Sequence, residues 1–215
     1  MKKILILIHP DAVIDRGEDI AKEYLSLLEE HIPKFDAVFV NQFYSDNYHT
    51  FGYMKDEIED VYFEIINYLK NSPNLNNYER DYGDGGKAIF EGVVLDYIAD
   101  NSDNRLEIYM SGGNQDLCLL TAHKTFCKTL FGLVKEEDNL SYQIYSPLVY
   151  RYAKFDKNKE LAPAGMGLFP GKDKWGYDIK NPLENEDLAW YNDPNTTKKS
   201  RASQLLFLLK KATAK

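Results

Sequence analysis

Residues 3 to 8, KILILI, are the most constraining stretch of the chain. From Ile4 onward the run is wholly apolar, with no polar residue alternating into it. A strand with one wet face alternates, so an unbroken run of this length belongs inside a parallel sheet covered on both faces. Pro10 and Asp11 end it.

The residues that follow supply the cover. From Asp15 to His31, Ile20, Ala21, Tyr24, Leu25, Leu27 and Leu28 recur at helical spacing, and Pro33 closes the segment. Ala37 to Asn41 reads as a second short strand, and Gln42 to Gly52 as a polar, aromatic loop. Asp56 to Leu69 is a helix with Ile58, Val61, Tyr62, Ile65, Ile66 and Leu69 on one side. Asn71 to Gly86 is rich in Asn, Asp, Gly and Pro, which predicts a long surface loop and candidate lid. A helix is expected over Ala88 to Ala99 and a third strand over Leu106 to Met110. Ser111 to Asn114 breaks that strand, and Gln115 or Asp116 caps a helix reaching about Leu130. A fourth strand runs from Leu140 to Tyr145 or beyond.

Strands alternating with helices require right-handed crossovers, so the expected fold is a three-layer α/β/α domain around a mostly parallel sheet. Residues 1–152 form this core. Residues 153–215 lose periodicity and are expected to be an irregular extension, closed by a helix over Ser200 to Ala212. It would pack on the core or on a neighbouring subunit, making the chain a homo-oligomer.

With 215 residues, one domain suffices. A net charge of −8 argues against nucleic acid as a partner, because neutralising phosphates takes a basic face. The basic residues of the tail, Lys198, Lys199, Arg201, Lys210, Lys211 and Lys215, read as a solvated face. No stretch reaches the roughly 18 to 20 apolar residues of a membrane span, and Ile4 to Ile8 is too short for a signal sequence. Cys118 and Cys127 fall in one expected helix, about 13 Å apart along its axis, too far to bridge. A reducing, cytoplasmic setting is therefore expected. No HxxE, CxxC or HxH string occurs, so neither a metal nor another cofactor is expected.

In open α/β sheets, ligands bind beyond the carboxyl ends of the strands. The residues there are His9 and Asp11, then Asn41, Gln42, Tyr44 and His49, then Gly112 to Cys118, and finally Ser146, Pro147 and Tyr150. Cys118 would sit in the first turn of its helix, where the macrodipole and free N–H groups favour a thiolate and can hold an oxyanion. Gly112 and Gly113 would let backbone approach a substrate closely. A lone cysteine is otherwise a small buried hydrophobe.

The string Gly112-Gly113-Asn114-Gln115-Asp116-Leu117-Cys118-Leu119-Leu120-Thr121-Ala122 resembles the G-x-x-x-D-x-C signature of the isochorismatase-like cysteine hydrolases, which include nicotinamidases. Its glycine, aspartate and cysteine keep the spacing, and a Thr-Ala pair follows. Ile8-His9-Pro10-Asp11 is similar to the family's I-D-x-Q after the first strand. Asn41 to Phe51 is similar to its polar and aromatic second loop, and Ala88-Ile89-Phe90 with Leu95 to its S-A-F-x-x-T-x-L helix. The likeness spans roughly the first 150 residues, and the cysteine string is its specific part.

This resemblance implies hydrolysis of a small C–N-bonded substrate through a covalent adduct on Cys118. In the family an aspartate is the base and a lysine supports it. Here His9 stands in the aspartate's place and Asp11 in that of the glutamine. Asp84 stands where the lysine is expected, leaving Arg80 or Lys87 as the nearby cation. Phe43 and Ser45 replace the metal-binding Asp and His of nicotinamidases. Gly112, Gly113, Asn114, Tyr44, His49 and Phe90 would line the substrate. Two function classes follow: a cysteine hydrolase using His9 or Asp11 as base, or an altered or inactive relative that binds a small molecule or serves assembly. His123, five positions after Cys118, is expected to be structural or exposed. Gly83 to Lys87 lacks the spacing of a phosphate loop and reads as a turn.

Overall fold

The computed structural model describes residues 1–43, 56–80, 89–101, 103–113, 118–131 and 140–151, together with five two-residue strands after them. Strand β1 (Lys2–Ile8) lies at the centre of the sheet, as its composition requires. Ile4, Leu5, Ile6, Leu7 and Ile8 are all buried, each worth about 1.5–3 kcal/mol relative to exposure. A 3₁₀ segment (Pro10–Arg16) leads into α1 (Glu18–His31), which returns the chain to β2 (Ala37–Gln42). Helix α2 (Asp56–Lys70) then leads to β3 (Leu75–Arg80).

A π-helical turn (Phe90–Val94) continues as α3 (Leu95–Asp100), followed by β4 (Leu106–Gly112), α4 (Cys118–Phe131) and β5 (Leu140–Arg151). The five strands are parallel in the order β3-β2-β1-β4-β5. One apolar cluster joins Leu5, Leu7, Val38 and Val40 to α1 and α2. The other joins Ile4, Ile6, Ile8 and Phe39 to α3 and α4. The sheet is therefore sandwiched between two helical layers, as expected.

One sequence expectation is corrected. Asn71 to Gly86 is not one continuous loop: Leu75–Arg80 is β3, paired with β2 from Val38↔Leu75 to Gln42↔Arg80. It is an outer strand of the five, partly exposed, so its Asn and Glu residues carry no burial pattern. Leu106–Gly112 is consequently the fourth strand and Leu140–Arg151 the fifth. The last strand, expected from Leu140 to Tyr145 or beyond, continues to Arg151. Its register against β4 slips between Met110↔Ile144 and Gly112↔Val149. Pro147, which lacks an N–H, falls within the slip, and Ser111 Oγ spans it by donating to the Tyr145 carbonyl at 2.6 Å.

Beyond residue 151, β8 (Gly165–Met166) pairs antiparallel with the end of β5. Strand β6 (Lys154–Phe155) pairs with β7 (Leu161–Ala162), and β9 (Gly171–Lys172) with β10 (Asp178–Ile179). The helix expected over Ser200 to Ala212 lies outside the described residues. Among the described residues, no helix is long and apolar enough to cross a membrane.

Candidate functional site

The chain leaves β1 toward the α1 face of the sheet and leaves β4 toward the α4 face. These neighbouring strands thus diverge at their carboxyl ends, forming the switch point where open α/β sheets take their ligands. Ile8 pairs with Gly112, and the Gly113 N–H donates to the Ile8 carbonyl at 2.9 Å. The residues after β1 and those after β4 are held together by this contact.

Gly112 and Gly113 serve the protein's own packing. Gly112 has φ +102°, and a Cβ there would lie 2.1 Å from the Ile8 carbonyl oxygen. A Cβ on Gly113 would lie 2.3 Å from the ring of Tyr150. The close approach that glycine permits is that of the β1 backbone and the Tyr150 ring, where the sequence had suggested a substrate.

His9 is buried and left-handed, with φ 49° and ψ 45°, a conformation that costs a non-glycine residue about 1 kcal/mol or more. Several contacts fix it. Its N–H donates to the Asn41 carbonyl at 2.7 Å, and its carbonyl accepts from the Ala12 N–H at 3.0 Å and the Tyr150 hydroxyl at 2.5 Å. The imidazole lies against Phe43, with ring centroids 4.9 Å apart.

Asp11 is fully buried in the first turn of the 3₁₀ segment, and its Oδ1 accepts the Phe43 N–H at 2.9 Å. This bond ties the end of β2 to the turn after β1. Tyr24 lies nearby on α1. Burial, then the negative charge of Asp11, raises its phenol far above the ordinary range. Its hydroxyl has no hydrogen-bond partner among the described residues.

Cys118 is the first residue of α4. It is half-buried and packs on the cluster that contains Ile8, Leu119 and Val149. Tyr150 is fully buried in the cluster on the α1 and α2 face of the sheet. Its phenol is pushed well above 10, first by burial, then by Tyr24, Asp11 and Cys118, with Arg16 opposing. The same hydroxyl holds the His9 carbonyl.

The candidate cations are distributed differently. Arg80 ends β3, exposed and two strands away from β1. Lys87 lies outside the described residues, as do Tyr44, His49 and Asn114; Phe90 is in the π-helical turn, its side chain likewise outside the description. Arg16 was not singled out from the sequence. Its guanidinium carbon lies 5.8 Å from the centre of the Tyr150 ring. A cation a few residues beyond the end of β1, before the first helix, is the signal that could have drawn attention to it. His123 is structural and buried: Nδ1 is 2.6 Å from the Tyr142 hydroxyl, and the two rings stack.

Asn41 also went unranked in the sequence. It is the penultimate residue of β2, nearly fully buried, and its Nδ2 has no hydrogen-bond partner among the described residues. Among those residues there is also no group of three or more His, Cys, Asp or Glu side chains placed to hold a metal ion. Compared with known proteins, the chain matches no family model, no curated protein and no solved structure.

Proposed function

We propose that this chain is a cysteine hydrolase of the isochorismatase-like kind, acting on a small amide- or imide-like metabolite through a covalent intermediate on Cys118. The observation that carries the reading is the pairing of Ile8 with Gly112 and the bond from the Gly113 N–H to the Ile8 carbonyl, which hold the residues after β1 beside those that lead to Cys118. The Tyr150 hydroxyl adds to this by fixing the His9 carbonyl at the end of β1. A nucleophile after one strand and a base after its neighbour is the arrangement such chemistry needs.

In the reaction, the Cys118 thiol passes its proton to the base, His9 or Asp11, and Sγ bonds to the substrate carbonyl carbon. The carbonyl π pair moves to oxygen. Its return breaks the C–N bond, and the leaving amine takes the proton from the base. Water then attacks the thioester, releasing the acid and restoring the thiol. N–H groups at the start of α4 are the natural donors to the oxyanion. On this reading the enzyme works in the cytoplasm, where its thiols stay reduced, and it self-associates through residues 153–215.

The test is to incubate the protein with a panel of small primary amides and cyclic imides, following ammonia release from the amides, ring opening of the imides, and the intact mass of the protein. A thioester mass increment on Cys118, with turnover abolished by Cys118→Ala, is the expected result. Saturable binding of a panel member with neither turnover nor an increment would instead favour a binding protein built on the same fold.

A further inference from the structure

Asn41, Ile8 and Gly112 form one row across the carboxyl edge of three adjacent strands. Alternation along β2 places Ala37, Phe39 and Asn41 on one face. Ala37 and Phe39 belong to the cluster that contains Leu119 of α4 and against which Cys118 packs. The Asn41 amide and the Cys118 sulfur are thus on the same face and at the same end of the sheet. Gln42, the next residue, points the other way and donates to the Tyr62 hydroxyl of α2 at 3.3 Å.

A buried amide donor left without an acceptor keeps the full penalty of its desolvation, so such groups call for a partner that the protein itself does not provide. Asn41 is 2% exposed, and its Nδ2 has no acceptor among the described residues. We propose that Asn41 is a specificity-determining residue, donating from Nδ2 to a second oxygen of the compound held on Cys118. Asn41 and Gly112 are separated by two strand spacings, roughly 10 Å between their backbones. That span suits a short molecule with a carbonyl carbon at one end and an acceptor oxygen, carboxylate or amide, at the other. This inference rests on the reading of Cys118 as a nucleophile.

Reversible aldehyde adducts separate the two ideas. An aldehyde and a thiol form a hemithioacetal: Sγ bonds to the carbonyl carbon, and the carbonyl oxygen takes the thiol proton. Succinic semialdehyde carries a distal carboxylate, whereas butanal has the same chain length without it. Protection of Cys118 in the full chain from iodoacetamide, read by peptide mass spectrometry, gives the affinity of each. The expected result is protection by succinic semialdehyde at concentrations at least tenfold below those of butanal. Asn41→Leu should remove that preference and leave butanal unchanged, and the near-isosteric Asn41→Asp should do the same by repelling the carboxylate. Lack of preference in the native chain, or its persistence in both variants, overturns the inference and leaves the nucleophile standing. If neither aldehyde protects Cys118, the nucleophile reading fails and the inference falls with it.

Discussion

Replacing Gly113 by alanine should destabilise the protein through a single contact. The added Cβ would lie 2.3, 2.4 and 2.6 Å from three carbon atoms of the Tyr150 ring. Carbon atoms pack at about 3.5–4.0 Å, so the ring must retreat by about 1 Å. It has little room to do so, because it is fully buried, meets Tyr24 edge-on at 5.6 Å, and is anchored through its hydroxyl to His9. Overpacking costs about 1–3 kcal/mol, and losing the hydroxyl bond adds about 1 kcal/mol, giving about 2–4 kcal/mol in all. The sign is informative, since an unclashed glycine-to-alanine change usually stabilises a fold by about 0.4–1 kcal/mol. Urea unfolding followed by far-UV circular dichroism measures the effect in a double-mutant cycle with Tyr150→Leu. In the Tyr150→Leu background, Gly113→Ala should cost less than about 1 kcal/mol, a coupling of about 2 kcal/mol. Equal costs in both backgrounds, or a stabilised Gly113→Ala, would refute the packing argument.

Three further predictions follow from the same geometry. Tyr24 and Tyr150 are held protonated by burial and by the charge of Asp11, so their stabilising effect is present below pH 10 and lost as the pH rises. Absorbance at 295 nm should show at least two of the 16 tyrosines ionising only upon alkaline unfolding. His31 lies below its usual 6.5, first by desolvation and then by the charge of Lys34, with its Nδ1 2.7 Å from the Tyr145 hydroxyl. The unfolded chain takes the proton more readily, so this contribution is present above about pH 6.5 and lost as the pH falls through the folded value; the stability gap to His31→Gln should narrow from pH 7.5 to 5. Asp11→Ala strands the Phe43 N–H and should cost about 2–3 kcal/mol, whereas Asp11→Asn keeps an acceptor and should cost less, which chemical denaturation of the pair will show.

Much of the architecture was legible because burial writes itself into composition. Ile4 to Ile8 could only be a central strand, and the spacing of Ile65, Ile66 and Leu69 could only cover it with a helix. β3 was not legible, since an outer strand made of Leu, Asn, Asn, Tyr, Glu and Arg looks like a loop. How far β5 continues past Tyr145 was left open by Pro147, whose place in a register slip no local pattern announces. At the site, residues following strands could be enumerated, and their convergence follows from the strand order. The left-handed turn at His9 was not foreseeable, because tertiary contacts hold a residue type that seldom adopts it. Asn41 was within reach: the parity of Ala37, Phe39 and Asn41 puts a polar group on a buried face.

The functional account depends on whether the Cys118 sulfur is activated by the groups that follow β1. Iodoacetamide labelling at about pH 7, resolved at Cys118 by peptide mass spectrometry, measures this directly. The account predicts labelling faster than that of a cysteine in a short free peptide and clearly slowed in His9→Ala or Asp11→Asn. Labelling no faster than the peptide's and unchanged in both variants would contradict it.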